Sequence, residues 1–456
     1  MSFLLQSWNS IVKQRGDAIA VTAFPGPKSL TFREVDDLAN QWVFQNFRQL
    51  KNSRSRIVGI KIESRPDWLI AFLSILKVGA IILPVDNTST VEETRRLIEA
   101  VDCNAWFHGD QFNLLHHRSH YHLQKTRIQI FKVTSGSTSQ PKIIPFTESQ
   151  MVADARNILD TMRIELSDVQ FATIPLGHSY GLGSLVYPFF LRGIPLVFNS
   201  IPLPSIIEKE LKTYPATVMP TIPGILNALA QSDSVKLPPA LRLVISAASP
   251  LTPDLIDLFE ERHGLKIHNF YGSTETGGIA YDDTGNLLTL RGAVGAPMQN
   301  VRVEISRSGR VRVESEAVYT YRNRNRSGKM GTFLLPDFGV LKDGALVLKG
   351  RSNRIIKHNG KRVDLSQVEH TLFEHPMIRE VYVVYDERRR RIIAAVAGSL
   401  DESEFRQFAL ERLTVWKRPK VVWITSRIPT NARGKPDRQA ILKGIAQFGT
   451  PLRYEA

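Results

Sequence analysis

Short apolar runs bounded by glycine, proline and aspartate recur along the chain: IVGIKI from Ile57, AIILPV from Ala80, PLVFN from Pro195, ATVMP from Ala216 and LRLVIS from Leu241. Amphipathic segments such as VEETRRLIEAV (91–101) and SIIEKELKTY (205–214) lie between them. Alternation of strand-length and helix-length patterns predicts an α/β fold. The stretch WLIAFLSILKVGAIILPV, Trp68 to Val85, approaches bilayer length, but Lys77, Gly79 and Pro84 interrupt it. It predicts a buried helix turning at Gly79 into a core strand, and no transmembrane segment is expected. After about Leu290 the texture changes to VRVEI, GRVRVESEAV and GALVLKG, alternating runs with glycine turns that suit antiparallel strands. A boundary is expected near Gly350 to Arg354. Beyond it the pattern predicts a smaller unit: a helix (SQVEHTLFEH), two strands (EVYVVYD, RIIAAVAG) joined by a turn, and a second helix (ESEFRQFALERL).

With 456 residues, 43% of them hydrophobic, the chain can build more than one core, in roughly two to four lobes. Lys plus Arg outnumber Asp plus Glu by 59 to 44, a formal charge of +15, which favours anionic partners in general. Residues 354–456 hold 20 Lys plus Arg against 12 Asp plus Glu, about half of that excess. The basic residues are dispersed, without a helix-turn-helix or aromatic RNA motif, so no specific nucleic-acid partner is expected. Cys103 is the single cysteine, which excludes an intramolecular disulfide and a cysteine metal cluster and suits a reducing compartment. The opening MSFLLQSWNSIVKQRGD lacks the pattern of a signal peptide. A cytoplasmic location is the expectation.

The densest chemical signal is TSGSTSQPK, Thr134 to Lys142, after the apolar run IQIFKV and ahead of the helical pattern ESQMVADARNIL. Small residues around Gly136 let backbone amides approach an anion, Ser135, Ser137 and Thr138 add donors, and Lys142 adds a point charge, so a polyphosphate fits. A polar surface turn is the competing reading. No second glycine precedes the lysine and no Ser or Thr follows it, so this is not a Walker P-loop. The second signal is YGSTETGG, Tyr271 to Gly278. Tyr271 can stack on a purine, Thr274 can bond a phosphate, and Glu275 can help hold a Mg²⁺ that bridges phosphate oxygens. A turn with a solvated Glu275 is the alternative.

These two segments resemble the phosphate loop and the adenine and Mg²⁺ motif of the adenylate-forming superfamily: acyl- and aryl-CoA synthetases, luciferases and peptide-synthetase adenylation domains. Further segments resemble that family's motifs in order: KVGAIILPVD from Lys77, IPLGHSYG from Ile174, SAASPL from Ser246, GAVGAPM from Gly292, LPDFG from Leu335, LKGRSNRIIKHNGKRVDLSQVE from Leu348 and IPTNARGKPDR from Ile428. The resemblance covers nearly the whole chain. It implies a large N-terminal AMP-binding domain of layered sheets and helices over 1–352. A small mobile α+β lid domain would follow over 353–456. Its implied activity is ATP- and Mg²⁺-dependent formation of an acyl-adenylate, then transfer to a thiol.

The resemblance also implies roles. Catalytic groups would be Lys435, Thr274 and His178. ATP would be bound by Thr134 to Thr138 and Lys142, by Ala247 and Ala248, by Asn269, Tyr271 and Gly272, and at the ribose by Asp337 with Arg351 nearby. Glu275 would hold the metal, and the carboxylic acid would sit against His178, Tyr180, Gly181, Gly277 and Gly278. Asn353 would be the hinge. Departures are visible: Ser139 replaces a second glycine of the phosphate loop, LPDFG lacks the Thr and Gly that commonly precede the ribose Asp, Asn353 stands where Asp or Lys is usual, and Ala247 replaces a glycine.

Amino-acid-activating relatives carry a Phe-Asp pair where this chain reads SLVYPFFLRG, so a small amine-free acyl or aryl acid is expected. The acceptor is CoA, or the phosphopantetheine arm of an acidic acyl carrier protein meeting Arg388 to Arg391, Lys417, Arg418 and Lys420. The run of arginines reads equally well as a solvated hairpin turn. A rival class is a serine hydrolase, because Gly177 to Gly181 matches G-x-S-x-G with Ser179 as nucleophile and His263 or His268 as base. That reading leaves the other motifs unexplained.

Overall fold

The helix Pro66–Lys77 is followed by Gly79 in the left-handed region (φ 70°), and the chain re-enters as the strand Ile81–Pro84. The long apolar stretch is thus a buried helix and a core strand, as its interruptions predict. Among the described residues no helix is long and apolar enough to cross a membrane. This computed structural model describes residues 2–24, 28–46, 56–87, 89–109, 111–115, 128–134, 142–286, 292–319, 330–351, 354–358, 361–431 and 436–454. The chain divides into two units, 1–303 with 313–333, and 304–312 with 334–456.

Among the described residues the first unit carries strands of two sheets. One runs in the order Gln111–Leu114, Ala105–His108, Ile57–Lys61, Ile81–Pro84, Ile128–Thr134, Lys142–Thr147. Its central strands are parallel and the last two form an antiparallel hairpin. In the other, Leu243–Ser246 pairs in parallel with Val218–Thr221 and Ile267–Ser273, and Gln170–Ala172 and Leu196–Phe198 continue the parallel set. Gly277–Tyr281 turns back antiparallel on Ile267–Ser273. Parallel strands buried on both faces need continuous apolar runs, which is why the sequence pattern finds them.

Aromatic side chains fill the space around these sheets. Trp8 packs on Phe32, Phe189 and Phe190 with centroids 5.9, 5.4 and 5.1 Å away, and Phe72 stacks on Phe190 at 5.2 Å. The helix Phe3–Arg15 has no acid in its own first turn. Glu148, the first residue of the helix Glu148–Thr161, supplies one, accepting from the backbone of Phe3 (3.0 Å) and Leu4 (2.9 Å). The same carboxylate takes the Gln129 amide at 3.2 Å, and Gln129 accepts from the Tyr187 hydroxyl at 2.5 Å.

In the second unit the strands Ile378–Asp386, Arg391–Gly398, Val421–Thr425 and Thr450–Pro451 form one sheet. Side chains alternate between two cores: Val383, Ile392, Ala394 and Val396 with Phe405 and Leu372, and Val384, Ile393, Ala395 and Ala397 with Ile441 and Ile445. This period-two pattern matches the strands read from the sequence. The helices are Leu365–Leu372, Glu402–Arg412 and Arg438–Phe448.

Cys103 is fully buried, its thiol facing the Ile57 and Ala105 carbonyls, and burial pushes its pKa up to about 12. The thiolate is therefore negligible at pH 8. Ellman's reagent at pH 8 is expected to leave the native protein unlabelled and to titrate one thiol once urea unfolds it; stoichiometric native labelling would contradict this packing.

Candidate active site

The strand Ile128–Thr134 and the strand Lys142–Thr147 pair so that Thr134 lies opposite Lys142. The strands on either side of the candidate phosphate loop are therefore antiparallel neighbours. A strand separates the loop from the helix Glu148–Thr161, so it is not the N-terminus of that helix. Thr147 and Gln150 cap the helix with a reciprocal capping box. Lys142 is exposed. Ser135, Gly136, Ser137, Thr138 and Ser139 lie outside the described residues, as does the side chain of Thr134.

The second motif closes another hairpin. Tyr271 pairs with Ala280 and Gly272 with Gly278, and Thr274, Glu275 and Thr276 make the turn. Ser273 and Thr276 hydroxyls meet at 3.0 Å, and the Glu275 carbonyl accepts from Tyr319 at 2.9 Å, which holds the turn from behind. Asn269 sits in register with Ser246 on the neighbouring strand, and Ser246 with Thr221 on the next. Thr221 and Ser246 are both 0% exposed, and neither hydroxyl finds a hydrogen-bond partner among the described residues. Buried polar atoms are ordinarily satisfied. Two orphans at the carboxyl ends of parallel strands, where α/β sheets bind ligands, fit a site that takes a polar molecule. The adjoining Ala247 is buried and donates to the Thr221 carbonyl at 3.2 Å, while Ala248 is exposed with φ 73°, a left-handed conformation that alanine rarely adopts.

In the segment expected to meet the acid, His178 Nε2 lies 3.0 Å from Asp86 Oδ2. Asp86 ends the KVGAIILPVD segment, so this contact joins two motifs 92 residues apart in sequence. Tyr180 donates to the Ile245 carbonyl at 3.2 Å, its ring lies 5.6 Å from that of Phe270, and burial pushes its phenol well above the usual range. A Cβ on Gly181 would come within 2.1 Å of the Pro175 carbonyl oxygen, so only glycine fits there. Gly278 abuts Phe270 and Met298. Tyr180, Phe270, Gly278 and the strand end before Ala247 are thus brought together, while Leu182–Val186 beside them is a π-helical turn, a deviation common at functional sites.

Behind this surface lies a buried ion pair. Lys132 (1% exposed) on the strand before the phosphate loop faces Asp154 (2%) on the helix after it, with Nζ 3.5 Å from Oδ2. Burial lowers the pKa of Lys132, and the charges of Asp154 and Glu275 pull it back up. The Phe146 ring covers the ammonium at 4.4 Å. Asp154 Oδ1 accepts from the backbone of Gly278 at 2.9 Å.

In the second unit, Asp337 and Arg351 face each other across paired strands, and Arg351 Nε donates to Asp337 Oδ1 at 2.7 Å. Asp337 is 3% exposed. Asn353 and Lys435 lie outside the described residues. Arg388 to Arg390 form an exposed turn and Arg391 begins the next strand. Lys417 donates to Gln367, Arg418 to the Leu413 and Leu410 carbonyls, and Lys420 lies over the Tyr454 ring. The hydrolase alternative gains no base: the His263 and His268 rings hydrogen-bond to the Leu229 and Asp282 carbonyls, not to Ser179.

Sequence reasoning missed Asp86, Lys132, Asp154 and Phe270. A lysine inside the strand IQIFKVT was the available signal, because lysine is almost never fully buried unpaired. Among the described residues no group of three or more His, Cys, Asp or Glu could hold a metal ion.

The chain matches the family described as AMP-binding enzyme over residues 8–133 and 123–313, and AMP-binding enzyme C-terminal domain over 367–435. An oxalate–CoA ligase of Arabidopsis thaliana is 25% identical over 68% of this chain and 66% of its own length. A 2-succinylbenzoate–CoA ligase of Bacillus cytotoxicus is 26% identical over 66% of this chain and 67% of its own. The match thus spans about two thirds of each of these relatives. The O-succinylbenzoate coenzyme A synthetase of Bacillus subtilis in complex with AMP has the same fold, with a TM-score of 0.78 at 18% identity, covering 95% of this chain and 97% of that one.

Gly277 combines φ 72° with a position where a Cβ would fall 2.2 Å from Asp154 Oδ1. Gly277→Ala is expected to destabilise the first unit by about 2–4 kcal/mol in urea unfolding. A loss under about 0.5 kcal/mol would show that the turn is not held as described.

Proposed function

This chain belongs to the AMP-binding enzyme family, and we propose that it activates a carboxylic acid with ATP and passes the acyl group to CoA. The observation that carries this reading is one hairpin, Ile267–Ser273 with Gly277–Tyr281. It bears Tyr271, Thr274 and Glu275 on the nucleotide side and Gly277 and Gly278 on the acid side, so nucleotide and acid are presented a few residues apart. Proximity of this kind supplies much of the rate in a two-substrate displacement.

A carboxylate oxygen attacks the α-phosphorus of ATP, pyrophosphate leaves, and the acyl-adenylate remains. The CoA thiol, losing its proton, then attacks the acyl carbon and AMP departs. Thr134 to Thr138, Lys142 and Thr274 serve the phosphates. Tyr271, Gly272, Asn269, Ala247 and Ala248 serve the adenine, and Asp337 with Arg351 the ribose. Lys435 bonds the carboxylate and α-phosphate as negative charge moves to pyrophosphate. Glu275 would hold Mg²⁺, which supplies charge neutralisation on the phosphates. His178, oriented by Asp86, lies at the acid entrance. The division into a body over 1–352 and a closing lid over 353–456, hinged at Asn353, belongs to this proposal. So does a cytoplasmic location, which the free, buried Cys103 suits.

Two features favour an acid without an amine. The helix Tyr187–Arg192 carries no acidic residue. Asp154, the acid behind Gly278, is already engaged by Lys132 and the Gly278 amide. CoA is preferred over a carrier protein because both relatives named above are CoA ligases.

ATP–pyrophosphate exchange across a panel of fatty, aryl, dicarboxylic and amino acids is expected to be supported by one amine-free class. Lys435→Ala is expected to lower that exchange by about 10²–10³-fold. Exchange supported only by amino acids, or unchanged in the variant, would sink the assignment.

A further inference from the structure

Lys132 and Asp154 take no part in the proposed chemistry, yet both are buried, 1% and 2% exposed, beside the candidate site. Asp154 contacts one backbone amide and closes the space beside two further glycines. Its Oδ1 accepts from Gly278 N at 2.9 Å, a Cβ on Gly277 would lie 2.2 Å from that same oxygen, and one on Gly183 would lie 3.0 Å from Oδ2. Gly183 belongs to the π-helical turn after Tyr180 and Gly181, whereas Gly277 and Gly278 begin the strand after the Glu275 turn. One carboxylate therefore spans both segments that flank the acid side. Lys132 fixes the carboxylate in turn, at 3.5 Å, and its own place is fixed by the strand Ile128–Thr134 and the Phe146 ring.

The amide of Gly278 would be unsatisfied without an acceptor at this position, and an unpaired buried amide is relieved by local backbone movement. On the reading proposed above, a movement of Gly277 and Gly278 would change the wall against which the acid sits, whereas the candidate phosphate loop is carried by another pair of strands, Ile128–Thr134 and Lys142–Thr147. We propose that Asp154, held by Lys132, is a positioning residue that sets the acid pocket by fixing the Gly277–Gly278 backbone against the Gly183 turn. The proposal rests on the reading of Gly277 and Gly278 as a wall of that pocket.

Removing one charge would strand the other in the interior, so both are removed together. Replacement of a buried ion pair by apolar residues of similar volume is commonly tolerated. K132M/D154L leaves Gly278 without an acceptor, and K132M/D154N restores one. With the acid found by the exchange panel, K132M/D154L is expected to raise the KM for the acid by roughly tenfold or more while the KM for ATP stays within about twofold, and K132M/D154N is expected to recover most of the loss. A general structural defect would move both KM values or neither. If K132M/D154L does not fold, K132M/D154S, which shortens the acceptor away from Gly278 without added bulk, takes its place with the same expectation. An unchanged acid KM, a parallel rise for ATP, or no recovery with Asn overturns the inference alone, because the wild type would still catalyse exchange. A wild type inert with every acid overturns the activity reading and this inference with it.

Discussion

Lys132 is held out of water against Asp154, and three separate stretches of chain meet at that contact. The strand carrying Lys132 ends at Thr134, where the candidate phosphate loop begins. The helix carrying Asp154 starts one strand after that loop closes at Lys142, and the backbone of Gly278 completes the arrangement. A buried ion pair is a weak source of net stability, since desolvation consumes much of the attraction. What it supplies is geometry: Lys132 faces the Asp154 carboxylate where that carboxylate meets the Gly278 amide, so the helix Glu148–Thr161 and the strand that begins at Gly277 are kept in one relation.

The chemistry proposed for the first unit depends on that relation. The parallel strands deliver Thr221, Ser246 and Asn269 in one row at their carboxyl ends. The hairpin then turns at Thr274 to Thr276, between Ser273 and Gly277. The Thr221 and Ser246 hydroxyls are buried without a hydrogen-bond partner among the described residues, a cost that a polar ligand can remove. Within the second unit, the Asp337 carboxylate is oriented by Arg351 at 2.7 Å.

Much of the fold was legible in the sequence because it rests on periodicity. The buried parallel strands read as continuous apolar runs, and the sheet of the second unit as alternation between two cores. Gly79 also marked the turn inside the longest apolar stretch. The family was legible because its motif segments are contiguous in sequence. What stayed hidden depends on contacts between distant positions. Asp86 and His178 are 92 residues apart, and nothing local to the KVGAIILPVD segment signals that its last residue faces a histidine. Asp154 lies 124 residues from Gly278. Its helix buries Gln150, Asn157 and Asp154 together with Met151 and Ile158, so polar residues on the inner face blur the amphipathic pattern that would have placed it. The strand between the phosphate loop and the helix was also missed, because KIIPFT is short and runs straight into the capping box.

Adenylation leaves a chemical trace that no other route to a thioester leaves. If the acid attacks the α-phosphorus and CoA then attacks the acyl carbon, one carboxylate oxygen ends on AMP. Turnover of the acid labelled with ¹⁸O in its carboxylate, in the presence of ATP, Mg²⁺ and CoA, followed by mass spectrometry of the nucleotide and phosphate products, tests this directly. The account predicts one ¹⁸O atom in AMP for each thioester formed and none in inorganic phosphate. Label in inorganic phosphate together with ADP, or AMP formed without label, would contradict it.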